Sequence, residues 1–229
     1  MSLHLAVAEK LDKFVASCNN DHSNSMARRN FLYVEDTNDY SKVIEEFISN
    51  HSIFNNITIV QLHPSAENGY PHTRPSNIIC IPSNASFPSL QSTLFHEAVH
   101  IHQRNKEVEW SKFLGAEGWQ EVPKSEIPER WLERCRYNPD TFLHPFWKFN
   151  KRYIPLPLFI RPHSPRFNEL EVCWYDTLTG KLEHVQPEEF SKKYGLNRQS
   201  EHPYEIYAVL LEKYDVLTEE FLNNYITIR

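Results

Sequence analysis

Residues 93–101 read Thr93-Leu94-Phe95-His96-Glu97-Ala98-Val99-His100-Ile101. No Pro or Gly interrupts the chain between Leu90 and Arg104, so the pattern predicts one long helix over 90–104. At 3.6 residues per turn, His96 and His100 stand one above the other on the same face. Two imidazoles so placed can bind one zinc ion, with Glu97 beside them as a base and not a ligand. Zinc lowers the pKa of a bound water to about 7, and the neighbouring carboxylate can take up its proton. Leu94, Phe95, Ala98, Val99 and Ile101 are uncharged, as a helix buried beneath an active site requires. The bland reading of the same residues is a core helix with two incidental histidines.

A zinc site of this kind needs a third protein ligand. Gln103 and Lys106 occupy the positions where the extended HExxHxxGxxH pattern has its glycine and third histidine, so that pattern is excluded. His102 points to another face and is expected to pack or to make a hydrogen bond. A carboxylate on a second helix remains. In Glu201-His202-Pro203-Tyr204-Glu205-Ile206-Tyr207-Ala208, Pro203 suits the first helical position and places Glu205 in the first turn. Ala208, three residues on, permits close helix approach. Glu121, with Glu117 behind it, is the alternative closer in sequence, but Gly115 and Gly118 weaken a helix there. A helix-start carboxylate favoured by the dipole is the bland reading of Glu205. Tyr204, Tyr207, His184, His163 and Arg161 are candidates to stabilise a developing oxyanion, and the sequence does not choose among them.

Working outward, residues 3–18 have helical apolar spacing, and DHSNSMARRN (21–30) reads as a polar loop. Helices are expected over 40–48, 127–135, 187–194 and 203–214, and residues 221–226 close the chain. Strands are expected over 56–62, 78–81, 158–160, 170–175 and 182–185, with Thr179-Gly180 as a turn. Residues 146–185 are rich in Pro and aromatics. The sum is an α+β chain dominated by helices. A single domain is expected, with residues 1–105 forming the sheet and HExxH-helix lobe and 106–229 an inserted layer plus the third-ligand helix.

Composition narrows the function. Aromatics at 13% exclude global disorder. A net charge of −6 without a Lys/Arg block disfavours nucleic-acid binding. No apolar run approaches the roughly 18 residues that span a bilayer, so no membrane partner is expected. Cys18, Cys80, Cys135 and Cys173 never fall at CxxC spacing, and Glu9, Lys10 and Asp12 stand where a signal peptide needs its apolar core. Free thiols in the cytoplasm are the expectation.

The segment Thr93–His100 together with His202-Pro203-Tyr204-Glu205-Ile206-Tyr207-Ala208 resembles the gluzincin metallopeptidases, in which NPxExxA-like sequences supply the third ligand. The stretch from Pro71 to Arg104 also resembles metallopeptidase-like proteins of large DNA viruses and protists. The gluzincin resemblance covers about 20 residues. It implies a zincin-like fold with a small sheet whose edge strand borders an active-site cleft, and strand 77–82 is placed to be that edge. It further implies one zinc per chain held by His96, His100 and Glu205, Glu97 as catalytic base, and a peptide or protein substrate pairing with the edge strand. Two departures stand out. Val209 occupies the position where thermolysin-type sequences carry an Asp behind a histidine ligand, and the His100–Glu205 gap is long. A zinc amidohydrolase for a non-peptide substrate and a zincin scaffold used for binding alone are the competing expectations.

Overall fold

The computed structural model describes residues 3–36, 42–85, 90–196, 199–214 and 217–227. The helices are α1 (Leu3–Asp12), α2 (Phe14–Asn20), α3 (His22–Arg28), α4 (Lys42–Asn50), α5 (Leu90–Asn105), α6 (Glu107–Ala116), α7 (Glu129–Leu132), α8 (Glu188–Tyr194), α9 (Pro203–Leu211) and α10 (Glu219–Thr227). The strands are β1 (Thr58–Leu62), β2 (His72–Arg74), β3 (Ile78–Pro82), β4 (Trp119–Glu121), β5 (Trp147–Phe149), β6 (Tyr153–Phe159), β7 (Leu170–Asp176) and β8 (Lys181–Glu183). Among the described residues the structure is mixed helix and sheet, with helix dominant at 46% against 18% strand. It divides into two compact units that interleave along the sequence: residues 1–16, 30–107 and 207–229, and residues 17–29 and 108–206. The boundary at 206/207 falls inside α9, which is one continuous helix.

The first unit is built on a three-stranded sheet of order β1-β3-β2, with β1 parallel and β2 antiparallel to β3. Register puts Val60, Leu62, Ile78 and Cys80 on one face, where they pack with Leu5 and Ala8 of α1. Arg74 projects from that face and binds Asp12 (Nε–Oδ2 2.7 Å) and Glu9 (Nη2–Oε2 2.9 Å). The opposite face carries Thr73, whose Oγ1 accepts a 2.8 Å bond from Arg104 of α5. Alternation along the strands thus sandwiches the sheet between α1 and α5.

Strand β3 is the middle strand of this sheet, so the expectation that residues 77–82 form an edge beside the site is overturned. Both of its sides are taken, by Thr58–Leu62 and by His72–Arg74. The short strand β2, hidden in sequence by its His-Thr-Arg composition, supplies the second pairing.

The second unit contains a five-stranded antiparallel sheet in the order β4-β5-β6-β7-β8. Ile154, Leu156, Leu158 and Cys173 share one face and pack with Val122, Ile127, Cys135 and Phe146. Trp119, Phe149, Trp174 and Tyr194 gather around Phe190 of α8.

Several local expectations need correction. The helix expected over 3–18 is broken at Lys13, whose φ is 55°. Residues 21–30 are not a loop: Asp21 caps α3 by accepting from Asn24 N at 2.8 Å. The helix expected over 127–135 is a single turn, and α6 and β4 went unread. Tyr40, where the second helix is expected to begin, lies outside the described residues, as does the side chain of Val43.

Candidate metal centre

The uninterrupted stretch Leu90–Asn105 folds as α5, and its middle is buried almost all round: Leu94, Phe95, Glu97, Ala98, Val99, His100 and Ile101 are each at most 3% exposed. A helix of this kind can carry polar side chains only where other polar groups receive them. Each of the two histidines is received in that way. His96 Nδ1 lies 2.8 Å from Glu212 Oε2, and His100 Nδ1 lies 2.7 Å from Gln103 Oε1. Both partners are acceptors, so each Nδ1 carries the proton and each Nε2 presents a lone pair. The two Nε2 atoms face one another at 3.1 Å.

Two lone pairs directed at each other repel unless a cation or a proton lies between them. Two nitrogens bound at about 2.0–2.1 Å to a tetrahedral zinc would be about 3.3 Å apart. The observed separation is within a few tenths of an ångström of that value. A histidine ligand normally donates its other ring N–H to a carboxylate or a carbonyl, which fixes the tautomer. Glu212 and Gln103 stand in that relation to His96 and His100. The donor set therefore fits a borderline-soft divalent cation such as zinc.

Helix α9 begins at Pro203, and Glu205 lies in its first turn. Glu212 N bonds to Ala208 O at 2.9 Å, so the helical path continues to Glu212. Seven residues, about two turns, separate Glu205 from Glu212, and the two carboxylates share a helix face. Glu205 is 4% exposed and accepts a 2.7 Å bond from Asn138 Nδ2, which also donates to Glu201 at 3.1 Å. Burial pushes the Glu201 carboxyl upward; the Arg136 guanidinium pulls the other way, and the Glu205 charge adds to the rise.

Among the described residues, two groups of three metal-capable side chains converge: His96, His100 and Glu205, and Glu171, Cys173 and His184. In each, the ligand atoms lie within 4.8 Å of one another. Glu121, the alternative ligand, is in neither; it lies on β4, exposed, and its Oε1 is 2.9 Å from His144 Nδ1.

Glu97 follows His96 on α5 and is 3% exposed. His102 is held by Asn223 of α10, its Nε2 3.1 Å from Oδ1. Of the oxyanion candidates, Arg161 pairs with Glu169 at 3.1 Å, His184 with Glu171 at 2.9 Å, and His163 is exposed. Tyr204 and Tyr207 are buried on α9.

Sequence reasoning missed Glu212, Gln103 and Asn138. Gln103 was legible in principle, because it is three residues from His100 on one helix. Nothing local marked Glu212 or Asn138; Asn138 reads as part of an ordinary Asn-Pro turn.

No known family model, curated protein or solved structure matches this chain.

Proposed function

We propose that the protein is a zinc-dependent metallopeptidase of gluzincin type, with His96, His100 and Glu205 as metal ligands and Glu97 as general base. One observation carries this reading: two facing Nε2 atoms 3.1 Å apart, each ring anchored through its other nitrogen. Incidental core histidines have no reason to have both rings turned toward one point with both outer nitrogens held by acceptors. The carboxylate of Glu205 adds the negative charge that two neutral imidazoles lack. When bound, zinc supplies a Lewis acid that acidifies water and polarises a carbonyl oxygen.

The remaining chemistry belongs to the chain. Glu212 and Gln103 orient the imidazoles. Asn138 holds one oxygen of Glu205 at 2.7 Å and so restricts how that carboxylate turns. The Glu97 carboxylate accepts the proton of the attacking water and returns it to the departing amine. No base is needed at a purely structural metal, which is why Glu97 favours catalysis over a binding scaffold.

A peptide substrate follows from the likeness of the two motifs to gluzincins. The pairing of β3 on both sides favours a second reading, hydrolysis of a non-peptide amide by the same residues, because that strand offers no edge to a substrate.

The test is turnover of a mixed peptide library by zinc-loaded protein, read by mass spectrometry, beside Glu97→Gln. The amide is nearly isosteric but cannot take the proton, so the variant should hold metal and lose about 10²–10⁴-fold in rate. Equal turnover by the variant would contradict the role given to Glu97. Cleavage of small amides with no cleavage of any peptide would select the second reading.

A further inference from the structure

In the second unit, β8 pairs with β7 through Asp176↔Lys181, Tyr175↔Leu182 and Trp174↔Glu183. Extending that register by one residue sets His184 opposite Cys173, and cross-strand partners share a face. Glu171, two residues before Cys173 on β7, shares it as well. The side chains use this placement: His184 Nδ1 lies 3.6 Å from Cys173 Sγ and 2.9 Å from Glu171 Oε1. One imidazole nitrogen thus touches both a thiol and a carboxylate.

We propose that Glu171, Cys173 and His184 form a second transition-metal site, with zinc as its occupant. Around a tetrahedral zinc, nitrogen and sulfur ligands are about 3.5 Å apart and nitrogen and oxygen about 3.3 Å. The first separation is already met, and the second needs an opening of about 0.4 Å. Thiolate and imidazole select zinc over calcium or magnesium, which take oxygen ligands. The site also has the asymmetry of a binding site. Cys173 is 1% exposed within the sheet core, whereas the His184 side chain is 65% exposed, leaving the fourth position open to water. Metal here would tie the edge strand β8 to β7 beyond the last residue of its ladder.

Cobalt(II) offered to chelator-stripped full-length protein tests this, because thiolate ligation gives a near-ultraviolet charge-transfer band that the sulfur-free His96/His100 centre cannot produce. Wild-type protein should show the band, and zinc should abolish it by competition. The His96→Ala/His100→Ala double variant should keep it, so this test is independent of the hydrolase reading. Cys173→Ser should lose the band. His184→Ala, at an exposed position that leaves the core intact, should weaken cobalt binding at this site by more than about tenfold, since even groups behind a ligand are worth about 10–100-fold. Absence of the band in wild-type protein at saturating cobalt, or its survival in both Cys173→Ser and His184→Ala, would overturn the proposal.

Discussion

In the proposed metal centre, Glu212 stands behind a ligand. Its carboxylate is 2.8 Å from His96 Nδ1 and would orient a bound imidazole as the Asp of thermolysin-type sequences does from the position that Val209 holds here. The same orientation is supplied from two turns beyond Glu205 and not from one. Glu212→Ala is expected to lower zinc affinity by about 10–100-fold without loss of fold. Glu205→Gln should weaken zinc binding more strongly, and Glu121→Gln should leave it unchanged; zinc competition with a chromogenic chelator reads all three. Unaltered affinity in Glu205→Gln would remove the third ligand while leaving the histidine pair standing. His96, Glu97 and His100 were legible because one helix carries them at fixed spacing. Pro203 and Ala208 single out Glu205 for the same reason, since helix starts are written locally. Glu212 and Asn138 act across more than 60 residues of chain, and no local pattern encodes such a contact.

At the scale of elements, the places where pattern and structure part have physical causes. Periodicity alone runs a helix from 3 to 18, but Asp12 and Glu9 accept the backbone N–H groups of Phe14, Val15 and Ala16 at 2.9–3.0 Å. These bonds cap a second helix and force the break at Lys13. The two carboxylates converge because Arg74 binds both from β2. Burial lowers the Arg74 pKa, yet the hydrogen bonds and charge of Asp12 outweigh it, and the guanidinium is held firmly charged. Arg74→Met should cost about 3–5 kcal/mol, because it strands two carboxylates in a closed environment. Urea unfolding measures this, and a loss under about 1 kcal/mol would show the triad to be replaceable at little cost. Helix α3 escaped notice for a different reason. Its inward face is polar: Ser23, Asn24 and Arg28 bind the backbone carbonyls of Glu133, Cys135 and Tyr137. Strand β6 was hidden by Pro155 and Pro157. Pro157 O accepts from Arg136 N, and Phe159 N donates to Arg134 O, so the odd-numbered residues turn away from β7. The missing proline N–H groups therefore cost no bond in the β6–β7 ladder.

At the scale of the whole molecule, the chain crosses four times between two compact units, and α9 bears Glu205 at one end and leads to Glu212 at the other. A pattern of local periods cannot announce such interleaving, because every crossing is set by long-range packing. Among the described residues, no helix is long and apolar enough to cross a membrane. Acid should destabilise the fold partly through Asp176. Hydrogen bonds from Arg152, with help from Thr179 and Leu178, hold its carboxyl well below the usual carboxylate range. A depressed folded pKa means stability that is complete above the unfolded value of about 3.9 and is lost as pH falls beneath it. Asp176→Asn should therefore be less stable than wild type at pH 7, with the gap beginning to narrow as pH falls below about 4; a gap independent of pH would contradict the pairing. Zinc content per chain, measured by elemental mass spectrometry on Cys173→Ser protein purified without chelator and offered zinc, isolates the His96/His100 centre from the second site. One zinc per chain is expected, falling to near zero when His96→Ala is added. Protein that takes up no zinc, or that keeps a full equivalent after His96→Ala, would contradict it.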